Sequence, residues 1–186
     1  MTTIDAPAAL PAQPLSTERS DLLAGLAHAR FFLRCTVRDL STEQASRRTT
    51  VSALTLGGLI KHVTGVERAW GDFVVSGAAA MQKDGRSFTE WTDEDFAERE
   101  QGFQMRPTDT VASVLDRYAE VATRTDQLLR DQESLDVVHR LPEAPWNTED
   151  SWSVRRVFLH IIAETTQHAG HADIIRESLD GAKSMG

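Results

Sequence analysis

The sequence predicts an all-α fold, a four-helix bundle with a long connection between its second and third helices, and two observations carry this. Apolar residues recur at the spacing of a helix face in four separate stretches, and no stretch alternates apolar and polar residues as a half-buried strand would. The 186 residues, 40% of them hydrophobic, suffice for one domain that buries a core. The expected division is a flexible N-terminal tail over residues 1–15, rich in Ala and Pro, followed by one helical domain over residues 16–186.

Taken in order, the first helix is expected from Thr17 to Leu40, where Leu22, Leu26, Ala29, Leu33, Val37 and Leu40 mark one face. His28 and Cys35 fall within it without a ligand-type neighbour at helical spacing, so they read as packed or exposed helix residues. The second helix runs from Leu54 to Val75, with Leu56, Leu59, Val63, Val66, Trp70 and Val74 as its apolar stripe. His62, in the run LIKHVTGVERAW, sits at about 70° from the centre of that stripe. There it can be a half-buried histidine bonded to a backbone carbonyl or an inward-facing ligand.

Periodicity fails between Ser76 and Pro107, a segment that is acidic and aromatic, with a short helix within Thr92 to Gln101 capped by Thr92 or Asp93. So long a connection reads equally as a solvated crossover or as cover over a pocket. The third long helix begins near Thr108 or Thr110 and continues to Asp131, with Val111, Val114, Leu115, Tyr118, Val121, Ala122, Leu128 and Leu129 as core positions. Residues 132–150 form a linker in which Pro142 and Pro145 exclude a regular helix and Trp146 folds over the bundle. The last helix spans Trp152 to Gly181, begun by Ser151 or Ser153 and closed by Gly181.

Composition excludes several functions. A formal charge of −8, with no arginine cluster free of interspersed acids, argues against a nucleic-acid partner. No apolar run approaches the roughly 20 residues that span a bilayer and no secretory leader pattern opens the chain, so the expectation is a cytoplasmic protein without membrane partners. The lone Cys35 rules out an internal disulfide and a cysteine-built zinc site, leaving histidine and carboxylate for any metal. The 20 basic residues include three lysines and therefore 17 arginines, a bias common in GC-rich genomes.

The chemistry concentrates on the last helix. His160, Glu164, His168 and His171 follow at steps of four, four and three residues and fall within an arc of about 80°, beside Val157, Ile161, Thr165, Ala172, Ile175 and Leu179. Glu164 and His168, one turn apart, can reach one ion together, and a third ligand from another helix would complete a facial set. His62 is the candidate. Two neutral imidazoles and a carboxylate suit zinc, nickel or iron, and three protein ligands leave a position open for water or substrate.

The runs LIKHVTGVERAW and SWSVRRVFLHIIAETTQHAGHADIIRE, with the helix layout over residues 17–181, resemble the DinB-like four-helix proteins, in particular the branch that includes mycothiol-dependent maleylpyruvate isomerase. The resemblance implies that His62, Glu164 and His168 hold a divalent ion. Many members have histidine where Glu164 stands, a departure that changes the site's charge by one unit. It also implies a low-molecular-weight thiol, mycothiol or bacillithiol, transferred to a small electrophilic substrate or used in its isomerisation, and the arginine bias leans toward mycothiol. His160 and His171 can orient the ligand carboxylate, carry a proton or replace a chosen ligand. Trp70, Trp146 and Trp152 can wall an apolar pocket or simply pack. A metal- or ligand-binding bundle without catalysis is the alternative, and homodimerisation is open.

Overall fold

The computed structural model describes residues 14–145 and 147–184; most of the expected tail and Trp146 therefore lie outside the described residues. The described chain is mostly helical. Four long helices dominate: α1 (Thr17–Cys35), α3 (Leu56–Ser76), α5 (Val111–Asp131) and α6 (Val154–Asp180), joined by the short α2 (Thr42–Ala45) and α4 (Asp93–Glu100). α1 packs along α6, and α3 packs against both α5 and α6. No helix among the described residues is long and apolar enough to cross a membrane.

Each long helix starts on a side-chain cap: Ser16, Thr55, Thr110 and Ser153 accept the backbone N–H three residues on, satisfying a donor with no intrahelical partner. At the other end of α6, Gly181 adopts φ 79° and donates to Glu177 O at 2.9 Å, the left-handed closure its sequence position implies.

The structure shortens the first predicted helix. α1 stops at Cys35 and residues 36–39 form turns ending on Asp39, whose φ of 60° is incompatible with continuing a right-handed helix. The Arg176 guanidinium donates to the carbonyls of Thr36 (3.0 Å) and Arg38 (2.8 Å), fixing this corner to α6. Ser41 then opens α2 with a capping box on Gln44, a helix absent from the sequence reading. Two strands also depart from it. β1 (Val138–Arg140) and β2 (Ser151–Ser153) pair antiparallel, with His139 opposite Trp152, so Trp152 belongs to a strand and Ser153 is the cap of α6.

Two apolar clusters fill the interior. One gathers Leu33, Leu59, Ile60, Val63, Tyr118 and Ile175; the other gathers Leu26, Phe73, Leu129, Val157, Phe158 and Ile161. Between these clusters along the helices comes a charged layer. Arg30 grips Glu67 through Nη2 to Oε1 (2.5 Å) and Nε to Oε2 (3.2 Å), and reaches Asp126 Oδ1 with Nη1 at 2.7 Å. Glu67 has no exposed surface. Burial and the Glu67 charge push the Tyr118 phenol well above its ordinary range, partly offset by Arg30 and by the Thr165 hydroxyl beside it.

The crossover from Gly77 to Thr110 folds back onto α3 instead of standing in solvent. A Cβ on Gly58 would lie 1.9 Å from the Phe103 carbonyl oxygen, and one on Gly57 would lie 2.0 Å from Met105 Sδ, so the glycine pair permits this contact. Further along, the buried Asp109 accepts from Arg106 N (2.8 Å), Lys61 Nζ (3.1 Å) and Arg117 Nη2 (2.9 Å). Burial pushes the Asp109 carboxyl up, but these donors outweigh it and hold it down at about 2. We expect Gly58→Ala to lower stability by about 1–3 kcal/mol in urea unfolding. Helix propensity alone would favour alanine by roughly 1 kcal/mol, so a gain in stability would show that the contact is loose.

Candidate metal centre

His62 projects from the second turn of α3, beyond the Thr55 cap and the two glycines, and Glu164 and His168 project from successive turns of α6. Packing of α3 against α6 brings the three together: one ligand atom from each lies within 4.8 Å of the other two, and all three side chains are half-buried. His168 Nε2 is 3.5 Å from Glu164 Oε2, and the rings of His62 and His168 meet edge to face at 4.8 Å. Among the described residues this is the one group of three or more histidine, cysteine or carboxylate side chains close enough to hold an ion.

The electrostatics suit a cation. Burial first, and then the neighbouring His168 charge, push His62 down to about 4, partly offset by Glu164. The His168 hydrogen bond holds Glu164 below the ordinary carboxylate range against the opposing effect of burial. His62 is thus neutral and Glu164 ionised near neutral pH. Between pH 6.5 and about 4 the unfolded chain takes up a proton that folded His62 resists, so the metal-free protein should lose stability as pH falls through that window. Thermal melts across it check this, and His62→Gln should flatten the dependence.

Neighbouring side chains hold these groups in place. The Phe103 ring, delivered by the crossover, stacks on His62 at 3.7 Å between centroids and 17° between planes. His171 Nδ1 is 3.5 Å from His168 Nδ1 on the exposed side. His160 Nε2 is 3.8 Å from Glu164 Oε1 and sits against Trp70 and Trp152, which stack on each other at 4.9 Å. Burial lowers the His160 pKa and keeps the ring neutral despite Glu164. His160 and His171 thus flank the three-residue cluster without belonging to it. His28 instead packs edge-on against Phe32, and Cys35 lies beside Arg38, whose Nη2 is 3.1 Å from Sγ. Sequence reasoning missed Phe103, which lies where periodicity fails; the adjacent Gly57 and Gly58 were the available sign that something packs closely on α3.

An open groove of about 790 Å³ runs along α3 beneath the crossover. Of the cluster, only His62 is on its wall, with Trp70 nearby and Met81, Phe88 and Trp91 opposite. The crossover therefore covers a pocket, one of its two anticipated roles.

The chain is chiefly helical and gathers two imidazoles and a carboxylate between packed helices, next to a groove. The mycothiol S-transferase family model matches residues 21–181, most of the chain, and the chain belongs to that family. This agrees with its resemblance to the DinB-like thiol-dependent proteins. A comparison with curated proteins gives no match.

Proposed function

We propose that the protein is a divalent-metal-dependent S-transferase that joins a low-molecular-weight thiol, mycothiol in the first instance, to a small electrophile. The supporting observation is the convergence of His62 with Glu164 and His168, about a hundred residues apart in sequence, in a chain of this family. We read α1, α3, α5 and α6 as a DinB-like four-helix bundle and residues 16–186 as one domain. The donor set, two imidazoles and a carboxylate, fits a divalent first-row ion, zinc foremost and nickel or iron by the same donor types.

An ion bound there supplies the charge that converts a thiol of pKa about 8.5 into a thiolate at neutral pH. The side chains supply the rest. Glu164 balances the cation, Phe103 fixes the plane of His62, and His171 sets the ring of His168. His160, neutral and 3.8 Å from Glu164, is placed to carry the thiol proton away. The sulfur–carbon bond forms as the leaving group departs with its electron pair, or, in addition to an activated alkene, as a proton reaches the neighbouring carbon.

The test is conjugation of mycothiol to a chlorinated electrophile by the metal-loaded protein, with glutathione as the comparison thiol. We expect acceleration that requires mycothiol and ends on chelation. A loaded protein that binds mycothiol but accelerates nothing would support a non-catalytic binding bundle instead.

A further inference from the structure

The groove's charge is opposite to that of the chain. The protein carries −8, yet the groove wall presents Lys61, Arg68, Lys83, Arg99, Arg106 and Arg117 against only Asp95, Glu98 and Asp109. Those acids are already engaged. Asp109 holds both Lys61 and Arg117, at 3.1 and 2.9 Å, and Lys83 lies between Asp95 and Glu98, at 2.7 and 2.6 Å. Asp95 is also taken by Arg86 at 2.6 Å.

Arg68 differs from Lys61, Lys83 and Arg117, which these acids hold. One face of α3 presents Lys61, Gly65 and Arg68 to the groove, and a Cβ on Gly65 would meet nothing within 4 Å, so open space separates the two cations. Arg68 is exposed and has no acidic partner among the described residues; Asp72, one turn further on, is occupied by Arg124 at 2.6 Å. On the opposite wall, the indole nitrogen of Trp91 is buried without an acceptor among the described residues. An open guanidinium beside an apolar wall, leading to His62, matches a planar anion attached to a small carbon skeleton.

We infer that the electrophile is a small carboxylate and that Arg68 binds its anionic group in the groove. This rests on the transferase reading for the role of electrophile, while the anion site itself rests on the groove. A guanidinium–carboxylate pair at a partly exposed site strengthens binding by about tenfold and is weakened by salt.

The experiment is calorimetric titration of the metal-loaded full chain with the unreactive pair 3-nitrobenzoate and 3-nitrobenzamide. The carboxylate should bind about tenfold more tightly, and the ratio should shrink in high salt. Arg68→Gln should bring the ratio near one, Arg68→Lys should retain part of it, and Arg47→Gln, exposed and off the groove, should retain all of it. Equal binding by the native protein, or equal weakening of both compounds by Arg68→Gln, overturns the inference. Weakened mycothiol binding in Arg68→Gln, with the carboxylate preference unchanged, would assign the site to the thiol and also overturn it. Because binding is read without turnover, Arg68-dependent carboxylate binding in a protein that transfers no thiol would support the anion site at Arg68 while defeating the transferase reading and with it the role of electrophile.

Discussion

His168→Ala should purify without its metal. The native protein is expected to hold about one divalent ion per chain by elemental analysis, and removal of one of three ligands to weaken retention by at least about 100-fold. His62→Ala should behave alike, although it comes from a different helix, because the two histidines and Glu164 share one cluster. Glu164→Gln isolates the charge: it keeps the shape and removes the negative unit that balances the cation, so loading should fall less steeply than in either histidine variant. Transfer activity should follow loading across the series. A native protein containing no stoichiometric metal after expression in metal-replete medium, or a His168→Ala protein that keeps it, would remove the ion from this site.

Glu67→Ala should be the most destabilising single change in the interior. It leaves the Arg30 guanidinium, 7% exposed, facing a void with only Asp126 as partner. Breaking a buried pair in this way costs about 3–5 kcal/mol, which corresponds to a fall of roughly 10 °C in the melting temperature of a chain this size. The double substitution Arg30→Met with Glu67→Leu should recover most of the loss, because removing both charges also removes their desolvation penalty. Chemical denaturation of the two proteins separates the effects; a Glu67→Ala loss below about 1 kcal/mol would mean that water reaches the guanidinium.

The sequence carried the parts of this structure that repeat. Leu22, Leu26, Ala29 and Leu33 on α1, and Val157, Ile161, Thr165, Ala172 and Ile175 on α6, are buried as their spacing indicates. The i, i+4 relation of Glu164 and His168 is fixed by helical geometry alone, and Gly181 marked the end of α6. What escaped was short or long-range. Strands of three residues are too brief to show alternation, and the left-handed Asp39 that ends the corner after α1 has no periodic signal. Arg30 and Glu67 did leave a trace, since each lies on its helix's buried face, one beside Ala29 and the other one turn after Val63. Which opposite charge each would meet depends on how the helices pack, and helix phase does not contain that information.

The separation of His62 from Glu164 and His168 along the chain has a consequence for how the protein survives in a cell. An ion that grips both helices ties the ends of a loop of about a hundred residues, a closure that the unfolded chain would otherwise make only at an entropic cost. Such an ion would recognise the folded form and scarcely the unfolded one, so on the metal-binding reading proposed above the fraction of chains that are folded would rise with the free metal concentration. Metal starvation would then act on this protein as a denaturant does, depleting its population as well as silencing its site.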